Sequence, residues 1–96
     1  MVISIGAAEP LVVKLVGDFD MSKQDELNSW FSRYEPGARV TLDLSGVTFF
    51  DSSAVNVVIQ TIGRGVVLVR GPMSTVAERT LEICGVLRFL APPETG

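Results

Sequence analysis

FFDSSAVNVV, Phe49 to Val58, is the stretch whose reading decides the fold. Before it, Val40, Leu42 and Leu44 are apolar at every second position; after it, Val55, Val58, Ile59 and Ile62 recur three and four apart. A period of two that gives way to three-and-four predicts a strand ending near Phe49 and a helix of about three turns reaching Ile62, with Asp51 and Ser52 in the connection. Asp and Ser are good helix N-caps, so the DSS trio has a structural reason to exist. Capping, however, needs one such residue, typically worth about 1 kcal/mol. Three in succession exceed that need, and a strand-to-helix turn is also a place where a phosphate is tolerated, because helix N-termini offer N–H groups and a favourable dipole.

The same reading extends outward. Leu11 to Gly17, after Pro10 and rich in β-branched residues, predicts a strand, with a shorter one at Val2 to Ile5. A helix follows with Ser22 as its N-cap, Asp25 and Glu26 in its first turn, and Leu27, Trp30, Phe31 and Tyr34 on one face; Pro36-Gly37 stops it. Arg39 to Leu44 alternates as a half-covered strand. Beyond the turn, Ser52, Asn56 and Gln60 form a narrow polar stripe along the helix that Gly63 and Gly65 end. Val66 to Val69 reads as a buried strand bounded by Arg70-Gly71-Pro72. Thr75 and Glu78 have capping-box spacing, Val76, Thr80, Ile83 and Leu87 are expected on one helical face, and Gly85 stands where a left-handed C-cap is wanted. A short last strand is expected near Phe89-Leu90, and residues 91–96 are expected to fray. The alternation implies an α/β domain spanning residues 1–96, with parallel pairing and right-handed crossovers.

Composition narrows the function. Ninety-six residues with 47% hydrophobic content suffice for one modest core. The net charge of −3 and the scattering of the eight basic residues are the wrong electrostatics for nucleic acid. No apolar run approaches the roughly 20 residues of a membrane span, and MVISIGAA lacks the basic start of a signal peptide, so a cytoplasmic protein is expected. The chain contains no histidine, the commonest general base and metal ligand.

Catalytic readings of the turn fail on inventory. Ser52 has neither a GxSxG turn nor a histidine, and Lys14 and Lys23 are not placed to serve it. A phosphoaspartate receiver needs adjacent acids after its first strand and a lysine late in the chain, whereas the last lysine here is Lys23. Asp18 and Asp20 alone are too few oxygen ligands for a hard cation. No catalytic residue, metal or cofactor is assigned. Cys84, the single cysteine, and Trp30 are expected in the core, and the Ser52–Asn56–Gln60 stripe on a solvated face or a partner surface.

Taken in order, Gly17-Asp18-Phe19-Asp20, VTLDLSGV (Val40 to Val47), FFDSSA (Phe49 to Ala54) and Ser74 to Leu90, with Leu81-Glu82-Ile83-Cys84-Gly85 at its centre, resemble the STAS domain, in particular the small bacterial anti-sigma-factor antagonists. The resemblance implies a mixed, mostly parallel sheet of four to five strands with about three helices packed against it. It also implies that Ser52 is the phosphoacceptor and that Asp20, Asp51 and Ser53 face the partner. Ala54, where the family usually carries glycine, and Asn56 complete the implied partner-binding set. The implied partner is an anti-sigma factor with a histidine-kinase-like ATPase fold that is also the serine kinase, opposed by a serine phosphatase; ATP belongs to that kinase. The alternative is a STAS subunit that braces the ATPase of a lipid ABC transporter without being phosphorylated.

Overall fold

Strands and helices alternate along the computed structural model, which describes residues 2–5 and 11–93. Strand β1 (Val2–Ile5) is followed by β2 (Leu11–Phe19), helix α1 (Gln24–Phe31), β3 (Arg39–Phe50), α2 (Ser52–Gly63), β4 (Val67–Met73) and α3 (Thr75–Ile83). The sheet runs in the order β1-β2-β3-β4, with β1 antiparallel to β2 and the other two pairings parallel. Side chains from β2, β3, β4 and all three helices join one buried cluster, so the helices share one face of the sheet. The mixed, mostly parallel sheet expected from the sequence is therefore present, at four strands. The expected last strand shrinks to a bridge at Ala91, whose N–H donates to the Leu68 carbonyl and whose carbonyl accepts from the Arg70 N–H, 2.8 Å each; residues 87–89 form a 3-10 turn. Ala91 is thus tied to the sheet rather than frayed, and residues 94–96 lie outside the described residues.

Strand β3 is longer than its alternating segment because two bulges reset its phase. Val40, Leu42 and Leu44 point into the core, and a register shift after Leu44 brings Val47 in next. A second shift, with Gly17 opposite Val47 and Asp18 opposite Phe49, leaves Thr48 as the extra residue. An extra residue inverts the inside-outside parity beyond it. Phe50 therefore enters the core while Phe49 is 47% exposed.

Strand β4 runs through the Arg70-Gly71-Pro72 segment that was expected to end it. A bulge at Gly71-Pro72 opposes two residues to one, and beyond the Ala91 bridge at Val69 strand β4 pairs with β3 only, so a proline without N–H is tolerated there. Glycine is required at the bulge, since a Cβ on Gly71 would lie 2.3 Å from the Leu42 carbonyl oxygen.

Helix phases differ in detail from the reading of the sequence. Asp20, not Ser22, caps the turn into α1: it accepts from the Ser22 N–H at 2.9 Å at the start of a 3-10 turn over Met21–Lys23. Leu27 and Phe31 are buried, whereas Trp30 and Tyr34 are only half-buried, with the Arg33 guanidinium 4.2 Å over the Trp30 ring. The indole N–H and the phenol find no hydrogen-bond partner of good geometry among the described residues, and burial raises the Tyr34 pKa above 10.0, opposed by the nearby Trp30 indole and Arg33. Arg64, the C-cap of α2, donates to the carbonyls of Phe31 at 2.6 Å and Tyr34 at 3.2 Å, tying the end of α2 to the end of α1.

Ser74, one residue before the expected cap, starts α3 by accepting from the Ala77 N–H at 3.2 Å. The buried face is Ala77 and Leu81, so the expected stripe is displaced: Val76 is 42% and Ile83 78% exposed. A small residue at 77 lets the helix sit close to the sheet, which the larger Val76 would not. With that rotation Cys84 is exposed rather than in the core, while Gly85, at φ +73°, is the left-handed cap expected.

Candidate functional site

The turn at Ser52 is built from the end of β3. Phe50 anchors the strand in the core, and Asp51 leaves it in an extended conformation. The Asp51 carboxylate then accepts from the N–H groups of Ser53 at 2.9 Å and Ala54 at 3.3 Å, while its carbonyl accepts the first helical bond from Val55 at 3.1 Å. Asp51 is the cap, and it takes up the amides that a helix N-terminus would otherwise offer to an anion. Ser52 is the first residue of α2; its side chain is exposed and makes no hydrogen bond among the described residues. The trio thus divides into one cap, one unengaged hydroxyl and one half-buried serine.

The end of β2 lies alongside. Phe19 pairs with Phe50, and its carbonyl accepts from the Asp51 N–H at 3.3 Å. Asp18 accepts from the Thr48 hydroxyl, and Asp20 from the amide and hydroxyl of Ser22. The bond from the Ser22 hydroxyl, followed by that from its amide, holds the Asp20 carboxyl below its ordinary value of 3.8. Three carboxylates therefore stand at the same end of the parallel strands, each engaged with its own neighbours. No group of three or more metal-ligating side chains occurs among the described residues.

Of the expected partner-facing residues, Asp20, Asp51 and Ser53 come together at this end of the sheet beside the expected acceptor Ser52, and Asn56 is exposed one turn along α2. Ala54 does not join them. It is 1% exposed within the core cluster, so its methyl points away from any partner, and the glycine-to-alanine difference is absorbed by packing. Two exposed apolar residues there were not expected: Met21, 72% exposed on the turn after Asp20, and Phe49. Met21 follows directly from its place beside an acidic turn; Phe49 is out of phase with Val40, Leu42 and Leu44, and because the two bulges of β3 cancel in parity, alternation carried on from those residues already places it outside.

No base is hydrogen-bonded to the Ser52 hydroxyl among the described residues: the chain has no histidine, and the adjacent Asp51 carboxylate is engaged by the Ser53 and Ala54 amides.

A protein-family model described as Mlab, STAS domain matches residues 6–91. No curated protein sequence matches the chain. Among solved structures, the fold is similar to the anti-sigma factor antagonist SpoIIAA in its unphosphorylated form (TM-score 0.67, 14% identity, 97% of this chain and 89% of that one). The Bacillus cell fate determinant SpoIIAA in the phosphorylated form matches at TM-score 0.66 with 15% identity, covering 97% and 92%. An anti-sigma-factor antagonist (STAS) domain protein from Planctomyces limnophilus matches at 0.70 with 20% identity, covering 98% and 91%. Identities of this size establish a shared fold. No helix among the described residues is long and apolar enough to cross a membrane.

Proposed function

The chain belongs to the STAS domain family, and from that membership and the turn at Ser52 we propose that it is a protein-interaction switch of the anti-sigma-factor-antagonist kind. Unmodified, it binds an anti-sigma factor with a histidine-kinase-like ATPase fold and so frees a sigma factor. Phosphorylation of Ser52 by that same partner weakens the complex, and a serine phosphatase restores it. The protein carries out no catalysis of its own, needs no cofactor, and works in the bacterial cytoplasm.

The observation that carries this reading is the state of Ser52: exposed, unbonded, and at the first position of a helix already capped by its neighbour. Modification there leaves the cap in place, so the fold survives the added charge. Phosphate brings about −1.5 to −2 charges to a surface that already holds Asp51. At a desolvated contact an unpaired charge costs on the order of 1 to 3 kcal/mol, so affinity should fall roughly 5- to 150-fold.

One observation favours the constitutive alternative, a subunit bracing the ATPase of a lipid ABC transporter. The Ser53 and Ala54 amides that would greet a phosphate are held by Asp51. A single set of measurements separates the two readings. Incubation with the purified kinase and ATP should add one phosphate on Ser52, seen by intact mass and fragment mapping. Ser52→Asp should bind the partner more weakly in calorimetric titration while melting like wild type. A phosphate on Ser53, or equal affinities with equal melts, would overturn the switch.

A further inference from the structure

At the far end of α2 from Ser52, roughly 16 Å along the helix axis, lies an open groove of about 360 Å³ between α2 and the segment that follows α3. Its walls include Ile59 and Ile62 from one side and Cys84, Val86 and Phe89 from the other, and no charged or hydroxyl-bearing side chain lines it. The volume falls within the roughly 300–1,000 Å³ of small-molecule sites. Gly63 also lines it, for no reason the fold supplies. A Cβ there would meet nothing within 4 Å, its backbone is not left-handed, and the helix is ended by Arg64 and the left-handed Gly65. Glycine is a poorer helix former than alanine, so this position sacrifices helix stability and in return keeps the groove open.

Arg88 adjoins the groove-lining Phe89. Its guanidinium lies 5.0 Å from the centre of that ring and has no carboxylate partner among the described residues, and guanidinium N–H groups fork onto a carboxylate. An apolar trough with a fork-shaped cation beside one of its lining rings matches an alkyl chain ending in a carboxylate. We propose that this groove binds a fatty acid, its chain against Ile59, Ile62, Val86 and Phe89 and its headgroup on Arg88. The site is independent of the switch at Ser52.

The test is titration of the whole chain with octanoate, decanoate and decanol, each below its aggregation threshold. Binding is followed by amide chemical shifts and by the rate at which Cys84, the chain's one cysteine, reacts with N-ethylmaleimide. Decanoate should give saturable shifts at Ile59, Ile62, Gly63 and Val86 and slow the Cys84 reaction. It should bind about 15-fold tighter than octanoate, from about fourfold per buried methylene. Decanol should bind more weakly than decanoate, and Arg88→Gln should remove that difference. Gly63→Leu should block both ligands without lowering the melting temperature; if it perturbs the fold, Ile59→Ser, at a half-exposed position, should still weaken decanoate. Shifts that do not saturate, chain lengths that bind alike, or an Arg88→Gln protein that still prefers decanoate would overturn the assignment. A response to phosphatidylglycerol vesicles but not to free decanoate would also overturn it, in favour of a membrane contact.

Discussion

Replacing Asp51 separates the structural role of the DSS trio from the signalling role proposed for it. Asp51→Ala removes the acceptor of two amide bonds, 2.9 and 3.3 Å long, one of them from Ala54, whose side chain is 1% exposed. Loss of an N-cap costs about 0.5 to 2 kcal/mol; with two amides released beside the core, the upper part of that range applies, about 1.5 kcal/mol. For a domain of this size each kcal/mol moves the melting temperature by about 4–8 °C, so the variant should melt about 6–12 °C lower. Asp51→Asn keeps a cap of equal rank and loses only the charge facing the helix dipole, for about 0.5 kcal/mol and a drop of about 2–4 °C. Ser52→Ala should stay within about 0.5 kcal/mol of wild type, because the Ser52 hydroxyl makes no hydrogen bond among the described residues. Thermal melts by far-ultraviolet circular dichroism read all three. If Asn destabilises as much as Ala, or if Ser52→Ala melts below Asp51→Ala, the division of labour between cap and acceptor is wrong.

Gly71→Ala should be among the most damaging single substitutions: its Cβ would meet the Leu42 carbonyl at 2.3 Å, and backbone cannot step aside cheaply. A loss of about 3 kcal/mol in denaturant titration is expected, and a loss below about 1 kcal/mol would mean that the bulge relaxes. Asp20 gives a pH signature. Its folded pKa lies below 3.8, so its stabilisation is fully present above the unfolded value and disappears as pH falls through the folded one. The melting-temperature gap between wild type and Asp20→Asn should therefore stay level from neutrality towards 3.8 and close below it; a gap that widens in acid would refute the Asp20–Ser22 interaction.

Where local chemistry alone decides the backbone, the sequence was a sufficient guide. The change of period across Asp51 located the β3–α2 junction to within a residue, and Gly85 marked the end of α3 because only its left-handed turn fits there. What depended on packing against the sheet was not readable. Val76, Thr80, Ile83 and Leu87 are as apolar a stripe as Ala77 and Leu81, and the choice between them rests on how closely α3 approaches β3, a tertiary distance. Capping was misplaced by one or two residues at both α1 and α3, since Asp20 and Ser22, or Ser74 and Thr75, are chemically equivalent candidates until the chain's entry angle is known. At the site, the inward turn of Ala54 depends on how α2 packs against the core, whereas Phe49 keeps the non-core phase of Thr41 and Asp43 because the two bulges of β3 cancel.

The bulge at Thr48 gives two adjacent, identical residues opposite evolutionary freedoms. Phe50 can change only within what the core will hold, whereas Phe49 can be exchanged for almost any side chain at little expense to the fold. Phe49 stands two residues before Asp51, so under the function proposed above that one position is free to drift beside the turn while the core stays fixed. Flattening the bulge, with Thr48 paired in register, would put Phe49 in the core and Phe50 outside, so a fault at that one residue would reach the surface and the interior in the same event.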